Sequence, residues 1–339
     1  MVPAVLVDKL QKNYGSVPAV KEISFKVQPG EIFGLLGPNG AGKTTTIRCI
    51  CTLAKPDGGN LEVCGISVLD NPKGVRRQIG YVAQEVALDK ILTGRELLEL
   101  QANLYHIPST QGKQRITELI ELLGLVKYAE QKTGTYSGGL RRRLDLAAGL
   151  LHQPQVLILD EPSVGLDIES RQVVWDFLRQ LQAQGTTILI SSHYLEEIDA
   201  LCDRLIIIDQ GKVIAQGTPN ELKEQIGGDR LTLRLKEFAT VEEAEQATQA
   251  LKTLPFIQEI ITNQAQGNSL NLVVTPEPNS LTQIEKTLAE ANFSIFSMTQ
   301  SRPSLDDVYL AATGKTLMDA ELAARGTRDL KSEQKQQMK

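Results

Sequence analysis

The chain has 339 residues and is 41% hydrophobic, which is enough for one large domain and a smaller one with buried cores. Its net charge of −5 argues against a general nucleic-acid binder, and no nucleic-acid partner is expected. The four cysteines form no C-x-x-C pair, which predicts reduced structural thiols rather than a disulfide framework.

The beginning of the chain shows no targeting segment. Residues 1–8 lack the basic start and long apolar core of a signal peptide. No uninterrupted apolar run approaches the roughly 18 residues that a membrane-spanning helix needs. We therefore expect the chain itself to be soluble.

The strongest pattern is a phosphate-binding loop, G-x-x-x-x-G-K-[ST], between a predicted strand (31–36) and a predicted helix (44–53). Its glycines tolerate φ > 0 and leave backbone N–H groups free to hold phosphate oxygens. Lys43 can reach the β- and γ-phosphates, and the Thr44 hydroxyl suits Mg²⁺. The predicted nucleotide-binding residues are Gly37, Pro38, Asn39, Gly40, Ala41, Gly42, Lys43, Thr44 and Thr45.

Two predicted strands, 4–10 and 20–28, precede this loop, and Tyr14 lies between them. An aromatic residue there can stack on a nucleotide base, or it can be an ordinary loop tyrosine. The residue alone leaves both interpretations open.

After the first helix the chain is predicted to form short strands at 60–64 and 79–84, the second ending at Gln84. A helical insertion on an α/β core then spans about 91–153, and its first helix begins with a capping box at Thr93 and Glu96.

A second possible anion site lies inside this insertion. Ser137, Gly138 and Gly139 precede an amphipathic helix that Pro154 closes. A hydroxyl, free N–H groups and the helix dipole attract anions there.

Two predicted buried strands end in polar residues. The aliphatic run 156–159 delivers Asp160 and Glu161 to the carboxyl edge of a parallel sheet, where Asp160 suits Mg²⁺ and Glu161 suits a base that orients water. Strand 186–190 leads to His193, which is placed to contact a γ-phosphate. His106 and His152 are interpreted as structural or surface residues.

Taken in order, these motifs resemble the nucleotide-binding subunit of an ATP-binding cassette (ABC) transporter over about residues 4–225. The resemblance implies a P-loop NTPase fold of α/β class, with a RecA-like core, an antiparallel β subdomain and a helical subdomain. It further implies ATP and Mg²⁺ as cofactors. The motifs that match are Walker A at 37–45, the Q-loop at Gln84, the signature at 136–140, Walker B at 156–161, the D-loop at 163–167, the switch histidine at His193 and the adenine-stacking aromatic at Tyr14.

The resemblance also implies how the residues act. Two subunits, identical or similar, close head to tail around two ATP molecules, so that Ser137, Gly138 and Gly139 contact the partner's nucleotide. Glu161, His193, Lys43 and Gln84 are the implied catalytic residues, and Thr44, Gln84 and Asp160 the implied metal ligands. A separate transmembrane permease is the implied partner, at the cytoplasmic face of the membrane.

The signature departs from the usual L-S-G-G-Q at Tyr136 and Leu140. Together with the segment 303–310 and Thr313-Gly314, it resembles the daunorubicin and multidrug exporter branch. An import ATPase, a soluble ATPase acting on ribosomes or in DNA repair, and a non-catalytic regulator are the alternatives.

The predicted domains are an ABC domain (1–227), an accessory domain (228–314) and a polar tail (315–339). The accessory domain has the order β-α-β-β-α-β: strand 231–235, helix 240–252, strands 257–263 and 269–275, helix 280–291 and strand 294–299. This order suggests a ferredoxin-like α+β unit with a regulatory or dimer-contact role. The tail is predicted to be a frayed helix or disordered.

Overall fold

The computed structural model describes residues 2–275, 277 and 279–324. The chain divides between Val213 and Ile214 into two compact units. The domain boundary predicted after residue 227 stays a prediction.

The centre of the first unit is a sheet with strand order β10-β9-β3-β8-β7-β6. Strand β3 pairs in parallel with β8 and β9, and β7 pairs in parallel with β6 and β8. Every residue of β3, β7 and β8 is buried, as expected for strands covered on both faces. Because these strands are parallel, their carboxyl ends meet at one edge, where the predicted polar residues follow. The strands are β3 (Ile32–Leu36), β6 (Ile79–Val82), β7 (Val156–Asp160), β8 (Thr187–Ser192), β9 (Arg204–Asp209) and β10 (Lys212–Gly217).

A separate antiparallel sheet has the order β2-β1-β4-β5. Its strands are β1 (Val5–Tyr14), β2 (Val17–Val27), β4 (Gly58–Val63) and β5 (Ile66–Ser67). The first two are longer than predicted, because their pairing continues through register shifts as far as Tyr14 opposite Val17. Because of these irregularities and the polar residues beyond Leu10, the end of β1 does not show the alternation of polar and apolar residues that predicts a strand.

Helices complete the first unit. The capping box at Thr93 is confirmed, as is the helix start at Ser137. Two short helices were not predicted, since seven residues show too little of the 3.6-residue period: α2 (Pro72–Gln78) and α7 (Leu195–Leu201). The remaining helices of this unit are α1 (Lys43–Ile50), α3 (Gly94–Leu104), α4 (Ser109–Leu122), α5 (Gly138–Leu150) and α6 (Ile168–Ala183).

The second unit contains the predicted ferredoxin-like fold. Its sheet has the order β12-β13-β11-β14 with antiparallel pairing throughout, and α9 and α10 pack on it over an apolar core. The elements are α8 (Pro219–Ile226), β11 (Asp229–Arg234), α9 (Val241–Leu251), β12 (Ile257–Asn263), β13 (Ser269–Val274), α10 (Ser280–Glu290), β14 (Ser297–Ser301) and α11 (Leu305–Thr313).

The end of this unit differs from the prediction. The last strand begins at Ser297 rather than at 294. Most of segment 303–310, for which the sequence predicts no helix, lies in α11, which packs against α8. Residues 317–324 are helical, and the part of the predicted tail after residue 324 lies outside the described residues.

Candidate functional site

The phosphate-binding loop joins β3 to α1 at the carboxyl edge of the central sheet. Gly42 has φ 111°, and a Cβ there would lie 2.7 Å from the carbonyl oxygen of Ala19, so only glycine fits. Gly40 has φ 88°, and no atom lies within 4 Å of the point where its Cβ would be, so the mouth of the loop stays open. The loop therefore has the room and the free backbone that a polyphosphate needs.

Lys43 begins α1 and points back into the loop. Its ammonium donates to the carbonyl oxygens of Gly37 at 2.6 Å and Pro38 at 3.3 Å. It also lies 3.2 Å from Oε1 of Glu161, and the lysine side chain is only 4% exposed. A buried cation at the base of the loop is placed to neutralise a bound anion.

Thr44 and Asp160 bring together oxygen atoms from two motifs 116 residues apart. The Thr44 hydroxyl lies 3.1 Å from Oδ1 of Asp160, and Ser191 donates to the same carboxylate oxygen at 2.5 Å. Burial raises the pKa of Asp160, and the two hydroxyl hydrogen bonds offset only part of that rise. A carboxylate and a hydroxyl are hard donors that fit Mg²⁺, which takes one or two protein oxygens and completes its shell with water and phosphate. Among the described residues, no group of three or more His, Cys, Asp or Glu side chains is placed to hold a metal by itself.

Glu161 follows β7 with a backbone φ of 51°, a left-handed conformation that is uncommon outside glycine. Its side chain is 2% exposed, and Oε2 accepts a hydrogen bond of 2.6 Å from Nδ1 of His193. Burial alone would raise the pKa of Glu161, but the His193 hydrogen bond and the Lys43 ammonium outweigh it and lower the pKa. The carboxylate is therefore held ionised at the edge of the phosphate loop, as a base must be.

Two further candidates lie apart from this cluster. Tyr14 ends β1 and is 49% exposed, and the ammonium of Lys12 lies 5.6 Å from its ring centre. Gln84 lies on the exposed loop after β6 and lines a cavity of about 440 Å³ together with Gly138 and Gly165. The cavity thus joins the Q-loop, the signature and the D-loop.

The signature residues begin α5. Ser137 caps this helix by accepting from the backbone N–H of Leu140 at 3.3 Å. Ser137 and Gly138 are exposed, whereas a Cβ on Gly139 would lie 2.4 Å from Oγ of Ser170. In the described part of the chain, no hydrogen bond links these three residues to the phosphate loop. The signature thus faces outward, available to another molecule.

Sequence reasoning missed Arg142, whose guanidinium lies against the backbone of the turn that carries Glu161. The only sequence signal is a run of three arginines after the signature, which does not show which one turns inward.

Comparison with known families identifies two segments. Residues 20–164 match the family described as ABC transporter. Residues 217–313 match the C-terminal domain of DrrA1-3-like ATP-binding proteins.

Three characterised relatives are similar over nearly the whole chain. The daunorubicin resistance ATP-binding protein DrrA2 of Streptomyces coeruleorubidus is 40% identical over 92% of this chain and 95% of its own. The linearmycin resistance ATP-binding protein LnrL of Bacillus subtilis is 36% identical over 92% and 99%. The Nod factor export ATP-binding protein I of Ralstonia nicotianae is 36% identical over 94% and 96%.

Two solved structures show the same likeness. An ATP-binding subunit of an ABC transporter is 30% identical with a TM-score of 0.60, over 66% of this chain and 92% of its own. A dimeric ATP-binding cassette in a post-hydrolysis state, bound to ADP and phosphate, is 25% identical with a TM-score of 0.58, over 63% and 98%.

Proposed function

The chain belongs to the ABC transporter family as an ATP-binding subunit of the daunorubicin-resistance branch, and on that premise we propose that its ATP hydrolysis powers export by a separate membrane permease. The observation that carries the proposal is a cluster of charged side chains at one edge of the sheet. Lys43 and His193 both contact the carboxylate of Glu161. The carboxylate of the preceding residue, Asp160, contacts the hydroxyls of Thr44 and Ser191. A binding-only regulator would not need a buried ionised carboxylate beside the phosphate loop.

In this proposal the phosphate loop binds the triphosphate, Lys43 leaves Glu161 for the β- and γ-phosphates, and Tyr14 stacks on the adenine. Thr44 and Asp160 would hold Mg²⁺, and Gln84 would supply a third oxygen ligand. The bound ion would neutralise the charge that builds up on the phosphates during hydrolysis. Glu161 accepts the proton of the attacking water, and His193 fixes the carboxylate and then contacts the γ-phosphate.

Ser137, Gly138 and Gly139 serve the nucleotide of a second subunit. Their exposure, and the helix N-terminus at which they lie, support this assignment. The active unit is then a homodimer, or a heterodimer with a similar ATPase, with ATP at the interface. To shift such a dimer from 1:99 to 99:1 closed, ATP must favour the closed state about 10⁴-fold.

The proposed permease is a separate chain at the membrane. Among the described residues, no helix is both long enough and apolar enough to span a bilayer. The chain would bind the permease from the cytoplasmic face through the helical insertion and segment 84–93. The relatives are named for resistance to daunorubicin and linearmycin and for Nod factor export. Their names favour export over import and an amphipathic compound as the substrate.

The experiment is affinity purification of the tagged Glu161→Gln chain from its native membranes with ATP and Mg²⁺ present. Recovery of a multi-span permease that lacks its own cassette is the expected result. A matched purification with ADP should recover the permease without stabilising the closed ATPase dimer. Recovery of ribosomes or repair proteins without a membrane partner would overturn the proposal and favour the soluble-ATPase alternative. Recovery of a permease together with a substrate-binding protein would favour import.

A further inference from the structure

We infer that Arg142 is a positioning residue for ATP hydrolysis, which holds the turn carrying Glu161 in its active conformation and ties that turn to the signature helix. The inference rests on the role proposed above for Glu161. Arg142 touches neither the phosphate loop nor any predicted ligand atom, so its effect would be exerted through the backbone.

The guanidinium of Arg142 donates hydrogen bonds to four backbone carbonyls. Its Nε donates to the carbonyl of Pro162 at 2.7 Å, and one terminal nitrogen donates to those of Glu161 at 2.8 Å and Asp160 at 3.2 Å. Three successive carbonyls therefore converge on one side chain. The other terminal nitrogen donates to the carbonyl of Ala83 at 2.5 Å.

This convergence explains how an unfavourable backbone conformation persists. Glu161 has φ 51°, and a non-glycine residue holds that conformation only where its surroundings enforce it. Its own N–H is fixed by the carbonyl of Ser191 at 3.1 Å, and its carbonyl is fixed by Arg142. The two anchors on either side of the residue set the direction in which its side chain leaves the backbone, toward Lys43 and His193.

The same side chain connects three motifs. Arg142 lies on α5, five residues after the capping Ser137, and Ala83 directly precedes Gln84. A shift of α5 would therefore be transmitted to both the Glu161 turn and the Q-loop. The side chain of Arg142 is 3% exposed, and its ion-pair partner is Asp145 on the same helix, at 3.6 Å. The guanidinium of Arg142 is buried, and its N–H donors lie in one plane in fixed directions, so it can hold the backbone carbonyls in a fixed arrangement.

The test is a double-variant cycle of Arg142→Gln and Glu161→Gln, measured as steady-state ATP hydrolysis by the full-length chain, which gives kcat and KM for each variant. Arg142→Gln should lower kcat by about 10- to 100-fold, as expected for a misplaced catalytic group, with KM within about threefold of the wild type. In the Glu161→Gln background it should slow hydrolysis by less than threefold, because the group that it positions is already gone.

Trp175 gives a second readout, since it is the only tryptophan and its indole N–H lies 3.3 Å from Oγ of Ser163, two residues after Glu161. Its emission should shift in Arg142→Gln but not in the control Arg143→Gln. Arg143 is the next arginine on α5, and it also donates to a backbone carbonyl, that of Leu123, at 3.1 Å.

Arg142→Lys keeps the positive charge, and it replaces Arg142→Gln in the test if the glutamine variant does not fold. One ammonium cannot span the carbonyls of Ala83 and Pro162, so it should remain about tenfold slower than the wild type. Full activity in this variant, or an equal slowing by Arg142→Gln in both backgrounds, would overturn the inference. Near-normal turnover of Glu161→Gln alone would instead overturn the role proposed for Glu161.

Discussion

Nδ1 of His193 lies 2.6 Å from a carboxylate oxygen of Glu161, although 32 residues separate the two in sequence. Each follows a strand of the parallel sheet, Glu161 after β7 and His193 after β8, and these strands are neighbours. The hydrogen bond fixes one oxygen of the carboxylate, while the ammonium of Lys43 lies 3.2 Å from the other. ATP that draws Lys43 away would free that second oxygen to receive a proton from water.

Glu161→Gln should therefore bind ATP normally but lose about 10²- to 10⁴-fold in turnover. The amide keeps the shape of the side chain and can still pair with His193, but it cannot accept a proton. Nucleotide affinity by fluorescent-ATP titration and steady-state phosphate release would separate binding from chemistry. Turnover near that of the wild type would remove Glu161 from the catalytic role.

The proposed docking segment carries exposed charges of both signs, among them Glu85 and Lys90. Reversing both, as Glu85→Lys with Lys90→Glu, should abolish transport by the permease while changing the ATPase rate of the isolated chain by less than about twofold. Surface charge governs partner recognition more than the fold. The control Lys73→Glu reverses an exposed charge on α2 and should leave transport intact. Transport retained in the double variant would place docking elsewhere on the subunit.

The sequence predicted those parts of the fold whose signals are local. The capping boxes at Thr93 and Thr240 set their helix starts. Residues 156–159 are an unbroken aliphatic run, and the buried strand before Gly37 contains no polar side chain. Such signals depend on neighbouring residues only. The helices α2 and α7 have seven residues each, too few for a hydrophobic period to stand out.

The candidate site shows the same limit. The motifs indicated which residue types would meet at the sheet edge, because parallel strands share that edge. They could not indicate partners set by the packing of distant segments, such as Ser191 with Asp160, or the inward turn of Arg142 beside two other arginines. Which of the three arginines on α5 turns inward depends on the segments that pack against this helix, and a single sequence does not reveal that packing.

Ser137→Ala should separate two roles of one hydroxyl. Loss of the cap on α5 should cost about 1 kcal/mol of stability, and loss of the proposed contact with the partner's ATP should lower turnover at least tenfold. Asn71→Ala is the matched control, since Asn71 caps α2 by accepting from Gly74 and has no place in the site. It should lower stability to a similar extent and leave turnover unchanged. Equal turnover in the two variants would mean that Ser137 serves only as a cap.

In the second unit, the buried Arg230 forms an ion pair with the half-buried Asp307, with 3.4 Å between Nε and Oδ1. Within the described residues, none of the three guanidinium nitrogens of Arg230 makes a hydrogen bond, so its contact with Asp307 is an ion pair without hydrogen-bond alignment. Asp307→Asn would leave this charge uncompensated and should cost about 3 kcal/mol, whereas Arg230→Met should stay within about 1 kcal/mol of the wild type. Urea unfolding followed by circular dichroism would measure both.

The combined variant Arg230→Met with Asp307→Asn makes that prediction sharper. It should recover most of the stability lost in Asp307→Asn, because the orphaned charge is then removed. If the two losses simply added, the buried charge would not be the cause.

Asp145 on α5 should make stability depend on pH. Burial raises its pKa to about 6, and the attraction to Arg142 offsets only part of the rise. The unfolded chain ionises this carboxyl near its ordinary pKa of about 4, so its contribution to stability is complete below pH 4 and is lost as the pH rises through about 6. Asp145→Asn should therefore match the wild type in acid and exceed it at neutral pH.

At about 1.4 kcal/mol for each pH unit, the difference between Asp145→Asn and the wild type should grow by about 2 kcal/mol from pH 4.5 to pH 7.5. Urea unfolding of both proteins across that range would measure it. Asp176→Asn is the control, because Asp176 has the same spacing to an arginine, Arg179, but its side chain is 54% exposed. Its difference from the wild type should stay nearly constant with pH, since exposed charges are well solvated in both states. A constant difference for Asp145→Asn as well would show that water reaches the Asp145 carboxylate in the folded protein.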